Sequence, residues 1–181
     1  MDSLINKYLP VYTYSEYHKI LVNVDSKKAF ETTQNIDMSD LFISKILMKL
    51  RGLPINDLSL MGFLGNMSFT YLDEIKYKEI LIGCWTNSKL TGDSDERKFI
   101  NDRKDCETKT VWNFQFEEIS PIKTLISTET RILCLTKRSR FTFSLYWLLI
   151  KPFSSFIRKE ILNLVKKNAE NKNSKAEDYL I

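Results

Sequence analysis

His18 is the only histidine in this chain of 181 residues, and that limits the available chemistry at once. A Ser-His-carboxylate triad would need it, and no Gly-x-Ser-x-Gly turn exists to present a nucleophile to it. By alternation it shares a strand face with Ile20 and Val22, the setting of a hydrogen-bonded core residue or of one polar handle in an apolar site. Cys84, Cys106 and Cys134 stand far apart, so with a lone imidazole they cannot supply the three or four closely spaced ligands of a zinc site. Asp93-x-Asp95 lacks the glycine and the distal glutamate of a calcium loop. Asp73-Glu74 and Glu117-Glu118 are neighbours, which on a strand point to opposite faces and make poor acid/base partners. Gly62 and Gly65 have a nucleic-acid loop's spacing, but Met61, Phe63 and Leu64 beside them are apolar where such a loop needs cations. The expectation is therefore no metal, no cofactor, no catalytic set and no nucleic-acid partner.

What remains is apolar surface with a few polar groups. Trp112, Phe114 and Phe116 alternate onto one face of a strand. Phe143, Trp147 and Ile150 fall on one stripe of a later helix, with Tyr146 beside them. Facing each other, these sets either fill a core or line a pocket of the kind that binds small molecules. Glu129 and Arg131 share one face of the next strand, and Thr128, Thr130 and Ile132 the other. Either set can be inside. With Glu129 and Arg131 inside, they would form a buried pair, or an Arg awaiting a carboxylate or phosphate head group.

These residues must be held by elements, and the composition suits a folded domain: 43% hydrophobic, 28% charged, 12% aromatic, with only 5 Gly and 4 Pro. Tyr14 to Val24 alternates as a strand, Asp25-Ser26 caps a helix from Lys27, and Ser39-Asp40 opens a second helix through Phe42, Ile43, Ile46, Leu47 and Leu50. Phe69–Ile75 and Lys78–Trp85 read as two strands around a turn at Lys76-Tyr77. Asn87–Thr110 is highly charged and reads as short edge strands and loops. Val111–Glu118 and Thr124–Leu135 are strands, and Ser139–Asn171 is one long helix interrupted by Pro152. Before Pro152 that helix is apolar all round, which predicts burial on two sides. The result is an α+β fold: a curved antiparallel sheet of six to seven strands, two short helices after the first strand, and a long C-terminal helix over the sheet. Residues 1–181 form a single domain, with 172–181 a flexible tail.

This order, with His18–Phe30, Lys78–Trp85, Ser127–Ile132 and Arg140–Arg158 in their places, resembles the START-like superfamily, the helix-grip fold of the birch pollen allergen and the polyketide cyclases. The last two stretches look like an uncharacterised bacterial subgroup. The resemblance implies an apolar cavity between sheet and helix, and non-catalytic binding of a lipid, sterol or polyketide-like molecule. The ligand-binding residues expected are Trp112, Phe114, Phe116, Glu129, Arg131, Phe143, Tyr146, Trp147, Ile150 and His18. Two alternatives accompany it: a cyclase or hydratase using a cavity carboxylate such as Glu129, and lipid delivery at an anionic membrane.

The net charge of +4 conceals a segment, Lys137–Lys167, with eight cations against Glu160 alone. Its basic part after Pro152 is the expected point of transient membrane contact. No apolar run in Met1–Pro10 suits a signal peptide, and Phe141–Ile157 is too short and interrupted to span a bilayer, so a cytoplasmic location is expected.

Overall fold

The computed structural model describes residues 3–37, 69–86, 99 and 106–171. In chain order the elements are α1 (Leu4–Tyr8), β1 (Tyr14–Val22), α2 (Ser26–Gln34), β2 (Thr70–Ile75), β3 (Glu79–Thr86), β4 (Thr108–Ser120), β5 (Lys123–Cys134) and α3 (Lys137–Asn171). The strands form one antiparallel sheet in the order β1-β5-β4-β3-β2. That makes five strands among the described residues, not six to seven. The charged stretch read as short edge strands accounts for the difference: its last residues, Thr108–Thr110, open the long central strand β4, and most of the rest lies outside the described residues. So do the second helix expected after β1 and the tail 172–181. The α+β class and the long terminal helix stand as expected.

Local chemistry sets the element ends. Asp25 caps α2 by accepting the Lys28 N–H at 2.8 Å. Thr136 and Ser139 cap α3 reciprocally: Thr136 Oγ1 accepts the Ser139 N–H at 2.9 Å and Ser139 Oγ accepts the Thr136 N–H at 3.1 Å. Pro152 offers no N–H to the Leu148 carbonyl, but both residues face outward, where water can satisfy that oxygen.

Both faces of the sheet are covered. On one, Ile80, Ile82, Trp112, Phe114, Phe116 and Ile126 pack against Phe30 of α2 and Ile157, Ile161, Leu162, Leu164 and Val165 of α3. On the other, Leu81, Val111 and Phe99 pack against Leu4, Ile5, Tyr8 and Leu9. Alone, α1 is too short to be stable in water. Glu79 of β3 holds it, accepting from the Leu4 N–H (2.8 Å), the Ile5 N–H (3.3 Å) and Ser3 Oγ (2.8 Å), while Asn113 donates to the same carboxylate at 2.7 Å. Gly83 makes room for Phe99 on this face. A Cβ there would lie 2.5 Å from Leu72 Cδ1, 3.1 Å from Phe99 Cε2 and 3.2 Å from the Thr110 carbonyl oxygen.

The expected two-sided burial of α3 before Pro152 is overturned. A helix laid on one sheet buries one side only, and Phe141 (68% exposed), Leu145 (56%), Leu148 (77%) and Leu149 (71%) face outward. The buried half follows the proline.

Candidate functional site

Strand β1 and helix α3 run the same way along the sheet edge, as their contacts show in sequence: Tyr14 with Phe143 and Trp147, His18 with Ser155, Glu16 with Arg158, Asn23 with Glu170. Between the aromatic end and the aliphatic end of this seam lies a polar cluster. Arg158 is 7% exposed although it sits one residue after Ile157 on the packed side of α3. Its guanidinium donates to Glu16 Oε2 at 3.1 Å, to Thr130 Oγ1 at 2.8 and 3.1 Å, and to Ser154 Oγ. It also lies over the Trp112 ring, 5.0 Å from its centroid. Glu16, equally buried, receives His18 Nε2 at 2.9 Å through its other oxygen.

Electrostatics explain why the groups come together. Burial lowers the Arg158 pKa to about 10, and the Glu16 carboxylate opposes that shift, so the guanidinium stays cationic at neutral pH. A cation this deep is tolerated only with an anion and acceptors around it.

The cluster contains Ser155, His18 and Glu16, but it is no catalytic triad. Ser155 Oγ (3.3 Å) and Glu16 Oε1 (2.9 Å) meet the same ring nitrogen, Nε2. A triad needs the carboxylate on one nitrogen and the nucleophile on the other, so that the base can take the hydroxyl proton while the carboxylate steadies it. Here Glu16 occupies the nitrogen that would have to act. The thiols are no better as nucleophiles, since desolvation pushes Cys84 up to about 12 and raises Cys134. Within the cluster the Arg158 donors are met by Glu16, Thr130 and Ser154, and Ser155 reaches the imidazole only at the nitrogen that Glu16 holds.

Trp112, Phe114 and Phe116 are buried on the helix-facing side, in ring contact with Phe69, with one another and with Phe30. Phe143 and Trp147 stack at 5.8 Å and close on Tyr14 at 5.5 and 5.9 Å, forming a half-buried aromatic group next to the cluster. Tyr146 touches the Phe143 ring but is largely exposed, and Ile150 is half-buried. His18 is part of the cluster.

Glu129 and Arg131 do not join it. They pair with Asn113 and Val111 on the face that carries α1. There Arg131 binds Glu129 at 2.7 and 3.2 Å, Asn6 at 2.8 Å and the Leu9 carbonyl at 3.2 Å, and covers the Tyr12 ring. Of the two placements open to this pair, the register therefore gives the one away from α3, so the expectation that they bind ligand under the helix is corrected and a cyclase base at Glu129 loses its position. The register explains it. Trp112 opposes Thr130, so the threonine set shares the helix-facing side and the charged set must take the other.

Arg158, Glu16, Thr130, Ser154 and Ser155 are the residues that sequence reasoning did not assign to a site. One signal was available: Arg158 lies next to Ile157 on the apolar stripe of α3, and Glu16 alternates with Ile20 and Val22. Among the described residues, surface clefts lie elsewhere. One of about 860 Å³ is lined by Lys27, Lys28, Glu31 and Asn168, and one of about 600 Å³ by Lys76, Glu79, Gln115 and Glu118. Neither includes the Arg158 cluster.

No family model matches the chain, and no curated protein matches it. Among solved structures it is similar to a norcoclaurine synthase point mutant from Thalictrum in complex with a transition-state analogue (8% identity, 88% of this chain and 96% of that one, TM-score 0.46). It is also similar to the aromatase/cyclase Zhui from Streptomyces sp. R1128 (9%, 88% and 94%, 0.36) and to a protein from Thermus thermophilus (7%, 88% and 99%, 0.40). Likeness this distant carries no conclusion about what the chain binds. Among the described residues no helix is long and apolar enough to cross a membrane.

Proposed function

We propose that the protein is a START-like, non-catalytic binder of a bulky apolar molecule bearing an oxygen function, a lipid, sterol or polyketide-like compound, seated at the seam between β1 and α3. The observation that carries this reading is the Arg158–Glu16–His18 cluster, a buried, hydrogen-bonded cation set in an otherwise apolar interface. An aliphatic filling of similar volume is commonly as stable as a buried ion pair or more so, which leaves recognition as a reason for keeping it. The half-buried Tyr14, Phe143 and Trp147 beside the cluster supply flat apolar contact, and burying ligand surface contributes about 25 cal/mol per Å². His18 and Ser155, at the partly exposed edge, are the groups that would meet the ligand oxygen. Three free thiols favour a reducing, cytoplasmic setting.

The test is a tryptophan-fluorescence titration with oleate, cholesterol and a polycyclic aromatic polyketide. Saturable quenching by at least one of them, weakened at least tenfold in Trp147→Ala, is expected. No saturable response to any of the three refutes the reading.

A further inference from the structure

The outward side of α3 has no role in that seam. Wound at about 100° per residue, Phe141, Leu145, Leu148, Leu149, Pro152 and Phe156 fall within an arc of about 100°, opposite the buried Ile157 and Ile161. All of them are exposed, Leu148 by 77% and Leu149 by 71%. Sixteen helical residues span about 24 Å, so this is a continuous apolar strip of the kind that marks an interaction surface.

The surrounding charge indicates what covers it. From Lys137 to Lys159 the helix has no Asp or Glu. Arg158 is turned inward onto Glu16, while Lys137, Arg138, Arg140, Lys151 and Lys159 are exposed. On the helical wheel Arg138 and Lys159 close the two ends of the strip, and Arg140 and Lys151 line one flank. Their aliphatic stems can lie along apolar surface while the charged ends reach outward. A second copy packed on this strip by a two-fold axis would set one cationic end against the other, which disfavours self-association. The strip is also shorter than a membrane span, and no described helix qualifies as one.

We propose that the outward face of residues 141–156 docks this protein on an anionic lipid bilayer. The helix lies in the boundary between head groups and acyl chains, its leucines and phenylalanines inserted and its lysines and arginines on the phosphates. This differs from the contact expected of the segment after Pro152, most of whose apolar side chains are committed to the core. It does not depend on the ligand reading.

Vesicle sedimentation tests it, using phosphatidylcholine alone and phosphatidylcholine with about 30 mol % phosphatidylserine, at about 0.1 M and about 0.5 M salt. The expected result is at least tenfold stronger partition onto the phosphatidylserine vesicles, falling at the higher salt. Leu145→Glu/Leu148→Glu, changing only outward side chains, should melt with the wild type and lose binding at least tenfold. Arg140→Gln/Lys151→Gln should weaken it by about 25-fold, taking roughly fivefold per cation. The proposal is overturned by absent binding, by equal binding to both vesicle types, or by unchanged binding of the leucine variant. It is also overturned if sedimentation velocity finds a dimer that the leucine variant dissociates and wild-type protein that ignores vesicles, which would assign the strip to a second copy.

Discussion

Replacing Arg158 by methionine keeps most of the side chain's volume and removes its charge, leaving Glu16 in place with only His18 beside it. Thr130 Oγ1 and Ser154 Oγ lose their donor as well, but hydroxyls can rotate to new partners, so the stranded carboxylate dominates the cost. Breaking one side of a buried pair costs about 3–5 kcal/mol, a large share of the roughly 5–15 kcal/mol that stabilises a typical domain. With a urea slope of about 2 kcal/mol per molar, the unfolding midpoint should fall by roughly 2 M. Circular dichroism at equilibrium in urea reads this directly. Removing both charges in Glu16→Leu/Arg158→Met should recover most of the loss, because no uncompensated charge then remains in the interface. A single variant within about 1 kcal/mol of wild type, or a double variant worse than the single, would refute the argument that Arg158 and Glu16 are a buried, mutually compensating pair.

Other perturbations probe the second face and the thiols. Glu79→Ala removes the cap of α1 and strands the buried Asn113 amide, so a loss of about 2–4 kcal/mol is expected, with faster hydrogen exchange at Leu4 and Ile5 as the specific sign. Gly83→Ala forces a methyl against the Thr110 carbonyl and Phe99, so a destabilisation of about 1–3 kcal/mol should appear in the same urea assay. Cys84 ionises near 12 in the fold against 9.0 ordinarily, so the native state holds the proton longer than the unfolded chain. Its contribution is therefore complete below about pH 9 and declines as pH rises toward 12, by up to about 1.4 kcal/mol per unit. Cys84→Ala should flatten that alkaline decline in midpoints measured from neutral to about pH 11.

Much of the framework could be read from local pattern. Alternation located β1 and the two long strands, Asp25 located the start of α2, and the apolar period located α3. Alternation divides a strand into two faces without saying which is inside, and this is why Glu129 and Arg131 stayed open until the pairing of β4 with β5 fixed them. Helix α1 has five residues and no period to detect; its stability comes from a carboxylate 75 residues away. The Arg158–Glu16 contact joins positions 142 apart, and in the sequence Arg158 is one of eight cations in a basic segment. The apolar stretch before Pro152 shows the converse limit. Residue types there indicate burial, whereas a helix on a single sheet has one side left over.

The dependence of α1 on Glu79 has a consequence for biosynthesis. Leu4, Ile5 and Leu9 are synthesised well before β3 and β4 and have nowhere to settle until those strands have been made. During that interval they are exposed apolar side chains without a partner surface, a natural target for chaperones and for proteases. Deleting this segment would leave Leu81, Val111 and Phe99 uncovered, so poor solubility of such versions would arise from the far side of the sheet, away from the Arg158 seam.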